Sequence, residues 1–243
     1  MRNLSAIPVW IDCTSSFLLK LYPQSFLLKL FVSKSLMLIL LLAATASPAE
    51  VIKANSYIME WILLGPIANT GPGAISANVD WLADCGGEAK VCPSEGDELE
   101  VSGERYRWRR YRILKIGGNE MEPLGNFEYS IAYLAIYIKF AQSGTAEFLF
   151  GSDAGFAAWV NGKEIARVAK HRNWVQDSDS GEIQVKAGRW NLLLVKATES
   201  QHEWGISVRT VEEISDFAFA SPWSKIRPYM AITTEWASIK TGG

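Results

Sequence analysis

Hydrophobic and polar residues alternate along much of the chain after residue 50, and this period of two predicts β-strands. The segment 129–140 shows it most clearly. There, Ala132, Leu134, Ile136, Ile138 and Phe140 lie on one side, whereas Tyr129, Tyr133, Tyr137 and Lys139 lie on the other. Because both sides are apolar or amphipathic, we expect a second sheet to cover one side and a loop or a partner to cover the other.

Turn signals divide the rest of this region into further short strands. Gln142-Ser143-Gly144 predicts that strands 129–140 and 146–150 form a hairpin. Asn161-Gly162 predicts a second hairpin, because both residues tolerate the positive φ of a type I′ turn. Its strands are 156–160 and 163–168, and the other predicted strands are 58–64, 105–114, 182–186, 190–198 and 205–211. The pattern predicts an all-β chain, an antiparallel β-sandwich of about eight strands, which is a jelly roll or a close relative.

The N-terminal region carries a different pattern, an uninterrupted apolar run from Leu36 to Ala46. Lysines precede this run, and small residues and a proline follow it, as in a secretory signal peptide. A helix that spans a bilayer needs about 20 residues, so a permanent membrane anchor is disfavoured, although an uncleaved leader stays an alternative. We assign residues 1–49 to the leader, with Met37 as an alternative start, and expect a secreted, periplasmic or cell-surface protein without membrane association after cleavage.

Composition narrows the class of protein. The 243 residues are 49% hydrophobic and 21% charged, with a formal net charge of −2, which excludes disordered and collagenous chains. No basic excess is available for phosphate binding, so we predict that nucleic acid is not a partner. We assign residues 50–215 to one β-sandwich domain and residues 216–243 to a C-terminal tail that packs on the sandwich or extends from it.

Two cysteines remain once a leader that contains Cys13 is removed. Cys85 and Cys92 flank a short segment with two glycines, so in an oxidising compartment we predict a disulfide between them. In the chain-entropy model, such a small loop contributes about 2.5 kcal/mol. A metal site is the alternative, but two thiolates without a nearby His or Cys leave zinc half-coordinated, and we predict no metal site.

Three segments carry a family resemblance. The sequences WILLGP (61–66), GSDAGFAAWVNG (151–162) and GRWNLLLVK (188–196) occur in an order that resembles the galactose-binding-like jelly-roll domains of secreted bacterial proteins. The resemblance covers roughly residues 57–211. It implies a carbohydrate-binding module, or an accessory module of unknown ligand. The family often has a second acidic residue at the position of Ala154, so a cation-binding loop is not implied here.

Candidate catalytic groups are few. His171 and His202 are the only histidines, and neither lies in a nucleophile elbow or in a metal-binding spacing. Asp177 and Asp179 offer a carboxylate pair of the kind that glycosidases use, but in so short a polar loop solvated carboxylates are the simpler interpretation. We therefore predict that the chain is not an enzyme. A glycoside hydrolase ranks third, behind the two binding functions given below. No cofactor is predicted. Structural calcium at carboxylates such as Asp153 stays an alternative, although the sequence contains no EF-hand spacing.

The run 105–112 holds five arginines interleaved with three aromatic residues. Such a strip is found on nucleic-acid-binding surfaces, but an outer strand with solvated cations above a packed aromatic face has the same pattern. In a net-acidic secreted chain we predict no nucleic-acid contact here, and an anionic glycan is the alternative ligand.

Sugars stack on exposed indole rings, and their hydroxyl groups pair with neighbouring polar side chains. The loop 169–181 offers Trp174 as the platform, with His171, Arg172 and Asp177 as hydrogen-bonding neighbours. Four other tryptophans lie within predicted strands and are assigned to the core: Trp61, Trp108, Trp159 and Trp190. The leading hypothesis is a secreted, non-catalytic module that binds a glycan or polysaccharide. The alternative is a structural or assembly module that binds a protein partner through the row Tyr129, Tyr133 and Tyr137.

Overall fold

The structure, a computed structural model, describes residues 51–68, 73–125, 128–200 and 204–223. This part of the chain contains thirteen strands and three short 3₁₀ helices, Gly73–Asn78, Ala83–Cys85 and Glu122–Leu124. The strands are β1 (Ser56–Tyr57), β2 (Glu60–Ala68), β3 (Glu98–Val101), β4 (Glu104–Arg107), β5 (Arg109–Arg112), β6 (Ser130–Phe140), β7 (Gly144–Ser152), β8 (Phe156–Val160), β9 (Lys163–Val168), β10 (Asp179–Val185), β11 (Trp190–Thr198), β12 (Ile206–Thr210) and β13 (Ile214–Ala218).

Two antiparallel sheets form the sandwich. The smaller sheet has the order β1-β12-β7-β10, and the larger has the order β5-β2-β6-β11-β8-β9. Because β11 occupies one edge of β6 along its length, β2 and β13 share the other edge, with β2 beside residues 130–135 and β13 beside residues 137–140. The architecture confirms the predicted all-β, jelly-roll-like sandwich.

The inner faces of the two sheets form one continuous core. Alternate residues of β6 and β11 contribute Leu134, Ile136 and Val195, while the smaller sheet contributes Phe148 and Phe150. The pleat of a strand sends every second side chain to the same face, which is why the period of two in the sequence becomes the core of the sandwich.

The Asn161-Gly162 hairpin forms as predicted. Its strands β8 and β9 have the predicted bounds, and both turn residues have positive φ, 53° at Asn161 and 77° at Gly162. The other predicted hairpin is wrong. Strands β6 and β7 belong to different sheets, and Phe140 and Phe148 meet across the core with their ring centroids 6.0 Å apart. Because both strands have an apolar face to bury, the turn carries the chain from one sheet to the other.

A long connection covers the outer face of the larger sheet. The chain between residues 73 and 108, including the β3–β4 hairpin, supplies Leu82, Val101 and Trp108 to a second apolar cluster on this face. Tyr133 and Tyr137 lie beneath it and are fully buried. The predicted protein-binding row of tyrosines is therefore wrong, because two of its three members are covered by the chain itself; only Tyr129 is exposed.

A buried ion pair lies under the same connection. The Lys196 ammonium is 2.6 Å from Glu88 Oε1 and donates to the Val79 carbonyl oxygen at 2.6 Å, while the Tyr133 hydroxyl donates to the same Glu88 oxygen at 2.6 Å. Burial lowers the pKa of Lys196 and raises that of Glu88, and the attraction between the two charges opposes both shifts. These bonds link the connection to β6 and β11.

The sandwich extends beyond the predicted domain end at residue 215, which falls within β13. Residues up to 223 pack on it: Phe219 contacts both apolar clusters, and Trp223 meets Tyr137 edge-on at a centroid distance of 5.5 Å. The predicted leader, residues 1–49, and residues 224–243 lie outside the described residues. Within the described ranges, no helix is both long and apolar enough to cross a bilayer.

Candidate functional site

Trp174, the predicted sugar platform, is half-buried rather than free-standing. Its indole packs on the turn at Gly118, where an added Cβ would be 3.2 Å from Trp174 Cγ. The indole nitrogen is buried, and no described residue accepts a hydrogen bond from it. Most of this ring therefore serves to hold the loop 169–181 against the sandwich.

The three predicted neighbours of Trp174 have different partners. Arg172 donates to Ser152 Oγ at 2.8 Å and pairs with Asp179. Asp177 pairs with Arg209 at 2.9 Å. His171 is exposed and lines a separate pocket of about 490 Å³ together with Tyr129 and Lys170. The structure thus uses two of these side chains as ion-pair partners, and the described lining of the pocket that holds His171 does not include Trp174.

The arginine run has neighbouring acidic residues along most of its length. In the β3–β4 hairpin, Glu98 and Glu100 lie directly opposite Arg107 and Arg105. On β5, Arg110 and Arg112 both lie within 4 Å of Glu60, at 3.6 and 3.3 Å. Trp108, between the two strands, is buried. This arrangement agrees with the interpretation of solvated cations above a packed aromatic face, and it leaves little uncompensated charge for a polyanion.

The predicted disulfide is not formed. Cys85 and Cys92 are both free and half-buried. Cys85 ends a 3₁₀ helix, and its thiol donates to the Glu100 carbonyl oxygen on β3 at 3.2 Å. Burial raises the pKa of the Cys85 thiol. The segment between the two cysteines is instead held by its own turn at Gly87 and by the Glu88–Lys196 ion pair.

A pocket of about 550 Å³ lies where four segments of the chain meet, and we call it the Trp190–Trp223 pocket. The segments are the loop 89–92, the β8–β9 turn, the start of β11 and the chain after β13. Its described lining residues are Ala89, Lys90, Val91, Cys92, Asn161, Gly162, Trp190, Leu192 and Trp223. It combines two indole rings with an open mouth and one charged side chain, Lys90.

Hydrogen bonds hold the segment that carries Trp223. Glu95 N donates to the Phe219 carbonyl oxygen at 2.8 Å, and Ser221 N donates to Ser94 Oγ at 2.9 Å. Trp223 is nevertheless 40% exposed, unlike the strand tryptophans Trp61 and Trp108, which are buried. The ring is thus held at a defined place while part of its surface stays open to solvent.

Trp190 forms a second wall of the pocket. It is half-buried and opens β11 opposite Lys139, whose ammonium lies 4.1 Å from the Trp190 ring centroid. Lys139 itself pairs with Asp216 of β13 at 2.8 Å. A cation above one face of the ring restricts its rotation. The assignment of Trp190 to the core is therefore only partly right, because its ring also lines the pocket.

Gly162 allows the loop 89–92 to approach the β8–β9 turn. An added Cβ at this residue would lie only 2.0 Å from the Ala89 carbonyl oxygen, and φ is positive. At Gly188, which also has positive φ, the same atom would meet nothing within 4 Å. An alanine at Gly188 would therefore introduce backbone strain alone, whereas an alanine at Gly162 would introduce backbone strain and a steric clash.

Gly162→Ala should destabilise the protein more than Gly188→Ala does. Strain in the left-handed region costs about 1–2 kcal/mol in both variants, and the contact with Ala89 adds about 1–3 kcal/mol in the first. Urea unfolding of the two variants measures the difference. Equal losses would show that the loop 89–92 does not depend on a glycine at the turn.

Buried carboxylates lie elsewhere, near the ends of β7 and β11. Asp153 Oδ1 accepts a hydrogen bond from Gly205 N at 3.0 Å, and Glu199 is 3% exposed. Burial raises the pKa of Asp153 to about 7 and that of Glu199 to about 8, and the charge of Asp153 adds to the shift of Glu199. Among the described residues, no group of three or more His, Cys, Asp or Glu is arranged to hold a metal ion.

Sequence reasoning missed Trp223 as a site residue, although a signal was present. Trp223 lies outside the strand pattern, which is the criterion that selected Trp174. What the sequence does not show is that the chain after β13 returns to the loop 89–95 and places Trp223 in the lining of the same pocket as Trp190.

No protein-family model matches the chain, and no curated protein sequence matches it. Among solved structures, it is similar to a β-glucuronidase of Ruminococcus gnavus, with 9% identity and a TM-score of 0.37 over 70% of this chain and 30% of that one. It is also similar to a putative β-galactosidase of Bacteroides fragilis, with 16% identity and a TM-score of 0.35 over 68% and 24%. A third is the PA14 domain of the MpAFP antifreeze protein, with 9% identity and a TM-score of 0.32 over 68% and 82%.

The chain spans a minor part of the glycosidase structures, between 12% of the α-xylosidase of Xanthomonas citri and 30% of the R. gnavus enzyme. TM-scores this low carry no argument about what the chain does. The fold assignment therefore rests on the sheet topology, and any function rests on the site.

Proposed function

We propose that this chain is a secreted, non-catalytic carbohydrate-binding module, and that the Trp190–Trp223 pocket holds the sugar. The observation that carries the proposal is the pair of tryptophans that line one pocket, with Trp223 40% exposed although the chain around it is held by hydrogen bonds. The three segments that resemble galactose-binding-like modules agree with this function.

Two indole rings suit a pyranose. The face of an aromatic ring carries negative charge density, and the C–H groups on one face of a sugar are polarised in the opposite sense, so the two stack. The pocket volume of about 550 Å³ falls in the range of small-molecule sites and accommodates one or two sugar units. A flexible polar side chain would not offer the same flat and rigid surface.

The lining chemistry favours binding over hydrolysis. A glycosidase needs two carboxyl groups on either side of the scissile bond. The described lining residues include no Asp or Glu, and Asp177 and Asp179 pair with Arg209 and Arg172 in another region. The pocket thus offers stacking surfaces and a cation, which are features of recognition.

Trp223→Ala should weaken polysaccharide binding about two- to twelvefold, because the variant loses one stacking surface worth about 0.5–1.5 kcal/mol. Affinity electrophoresis of the full chain through gels that contain galactan, xylan, mannan, polygalacturonate, alginate or carrageenan measures the binding. The melting temperature should also fall somewhat, since Trp223 is only 40% exposed and packs edge-on against Tyr137, so the loss of binding is measured at a temperature where the variant is fully folded.

Trp174→Ala is the matched control. It removes the same side chain from the loop 169–181, so it should lower stability while leaving the gel retardation unchanged. If Trp174→Ala abolished retardation and Trp223→Ala did not, the sugar site would belong to that loop. If the wild-type chain were retarded by none of the polysaccharides, the carbohydrate-binding function would be wrong.

A further inference from the structure

Resting on the proposed function, we infer that the Trp190–Trp223 pocket selects sugars that carry an anionic group, and that Lys90 recognises this group. The pocket has one charged residue among its described lining residues, and that residue is a cation. A carboxylate on a uronic acid and a sulfate ester share the required chemistry, a negative charge with several acceptor oxygens.

The charge of Lys90 is available, whereas neighbouring cations are engaged. Lys90 is exposed, and no described residue forms an ion pair or hydrogen bond with its ammonium group. Lys139, behind Trp190, pairs with Asp216, and Lys196, on the buried side of the same loop, pairs with Glu88. A cation that no described residue pairs with is the member of this lining that gains most from an anionic ligand, because it need not give up an existing ion pair.

Asn161, which also lines the pocket, makes two hydrogen bonds within the fold. Asn161 Nδ2 donates to Asn191 Oδ1 at 2.8 Å, and Asn161 Oδ1 accepts from Leu192 N at 2.9 Å. This amide therefore holds the hairpin turn on β11, and the one N–H and one lone pair that remain can bind a neutral hydroxyl group but carry no charge. Selectivity in the pocket consequently depends on Lys90 more than on Asn161.

The loop holds Lys90 in place before any ligand arrives. Lys90 N and Val91 N both donate to the Gly87 carbonyl oxygen, at 3.0 and 3.1 Å, which closes a tight turn. Glu88, two residues before Lys90, anchors the turn inward through Lys196. Because the backbone is fixed on both sides of Lys90, only the side chain loses freedom when an anion binds.

Affinity electrophoresis at about 0.15 M salt tests the inference, since screening at this ionic strength suppresses weak surface attraction. Polygalacturonate and alginate supply carboxylates, carrageenan supplies sulfates, and galactan, xylan and mannan are neutral. We expect at least one anionic polysaccharide to bind about two- to fivefold more tightly than the best neutral one, which is the range for a solvent-exposed ion pair. Retardation by the uronates alone identifies a carboxylate, and retardation by carrageenan alone identifies a sulfate.

Lys90→Met should remove this preference by lowering the anionic affinity to the neutral level, while neutral binding stays the same. Lys90→Arg should retain most of the preference. Lys170→Met is the matched control, because it removes one exposed lysine that lines the separate His171 pocket. It should leave both affinities unchanged.

Every remaining outcome contradicts one step of the proposal. Equal retardation by neutral and anionic polysaccharides would refute the anionic preference and leave carbohydrate binding in place. An equal loss in Lys170→Met and Lys90→Met would show non-specific attraction of the polyanions to exposed lysines and would refute the role of Lys90. Retardation by no polysaccharide at all would refute the proposed function itself.

Discussion

Lys196→Met should lower the free energy of unfolding by about 3–5 kcal/mol, the cost of removing one partner from a buried ion pair. The Lys196 side chain is fully buried, and that of Glu88 is 6% exposed. Without the ammonium, the Glu88 carboxylate would stay under the connection with only the Tyr133 hydroxyl as a side-chain partner. The Val79 carbonyl oxygen would also lose its donor.

The double variant Lys196→Met with Glu88→Gln is the informative control. It removes both charges but keeps an oxygen that accepts from the Tyr133 hydroxyl, so it should recover much of the stability that the single variant loses. Urea unfolding of the full chain at neutral pH measures all three proteins. A loss below about 1 kcal/mol in Lys196→Met would contradict the buried pair, because that is the range of solvent-exposed pairs.

The second large effect is a fall in stability as the pH rises, caused by Asp153 and Glu199. Burial raises their folded-state pKa values from 3.8 to about 7 and from 4.5 to about 8. Between the unfolded and the folded pKa, the unfolded chain gives up its proton while the folded protein keeps it. Rising pH therefore favours unfolding across this window, and each group contributes a slope of about 1.4 kcal/mol per pH unit.

Unfolding free energies measured between about pH 5 and about pH 8 should thus decline, and Glu199→Gln should make the decline shallower. The glutamine cannot ionise, so the variant should be more stable than the wild type at the alkaline end. Glu182→Gln, at an exposed position of β10, is the matched control and should keep the wild-type slope. A flat wild-type profile would show that the two carboxyl groups are not buried as described.

Strand positions were largely predictable because they depend on short-range patterns. The bounds of β8, β9 and β11 agree with the prediction, and β6 differs by one residue. Alternation and turn residues act over a few positions, and they are visible in the sequence. The split of 105–114 into β4 and β5 was missed, since it depends on Trp108 turning into the cluster that the covering connection forms.

The site was harder to predict because its parts are distant in sequence. Trp223 and Trp190 share a pocket with Lys90, yet more than a hundred residues separate Trp223 from Lys90. The loop 169–181 was chosen for its local composition, and composition does not reveal that Arg172 and Asp177 have ion-pair partners. In the sequence, a loop whose polar side chains form ion pairs within the fold cannot be distinguished from a loop whose polar side chains are free to bind a ligand.

By itself, the sequence determined the all-β class, the Asn161-Gly162 turn and the bounds of β8, β9 and β11, since propensity and periodicity are local properties of the chain. Only the tertiary structure decided which sheet each strand joins, that the chain buries its own tyrosine row, and that Cys85 turns toward Glu100 instead of Cys92. Each of these depends on contacts between distant residues, such as Glu88 and Lys196, which are 108 positions apart. Burial and pairing of that kind arise when the whole chain packs, and no single segment encodes them.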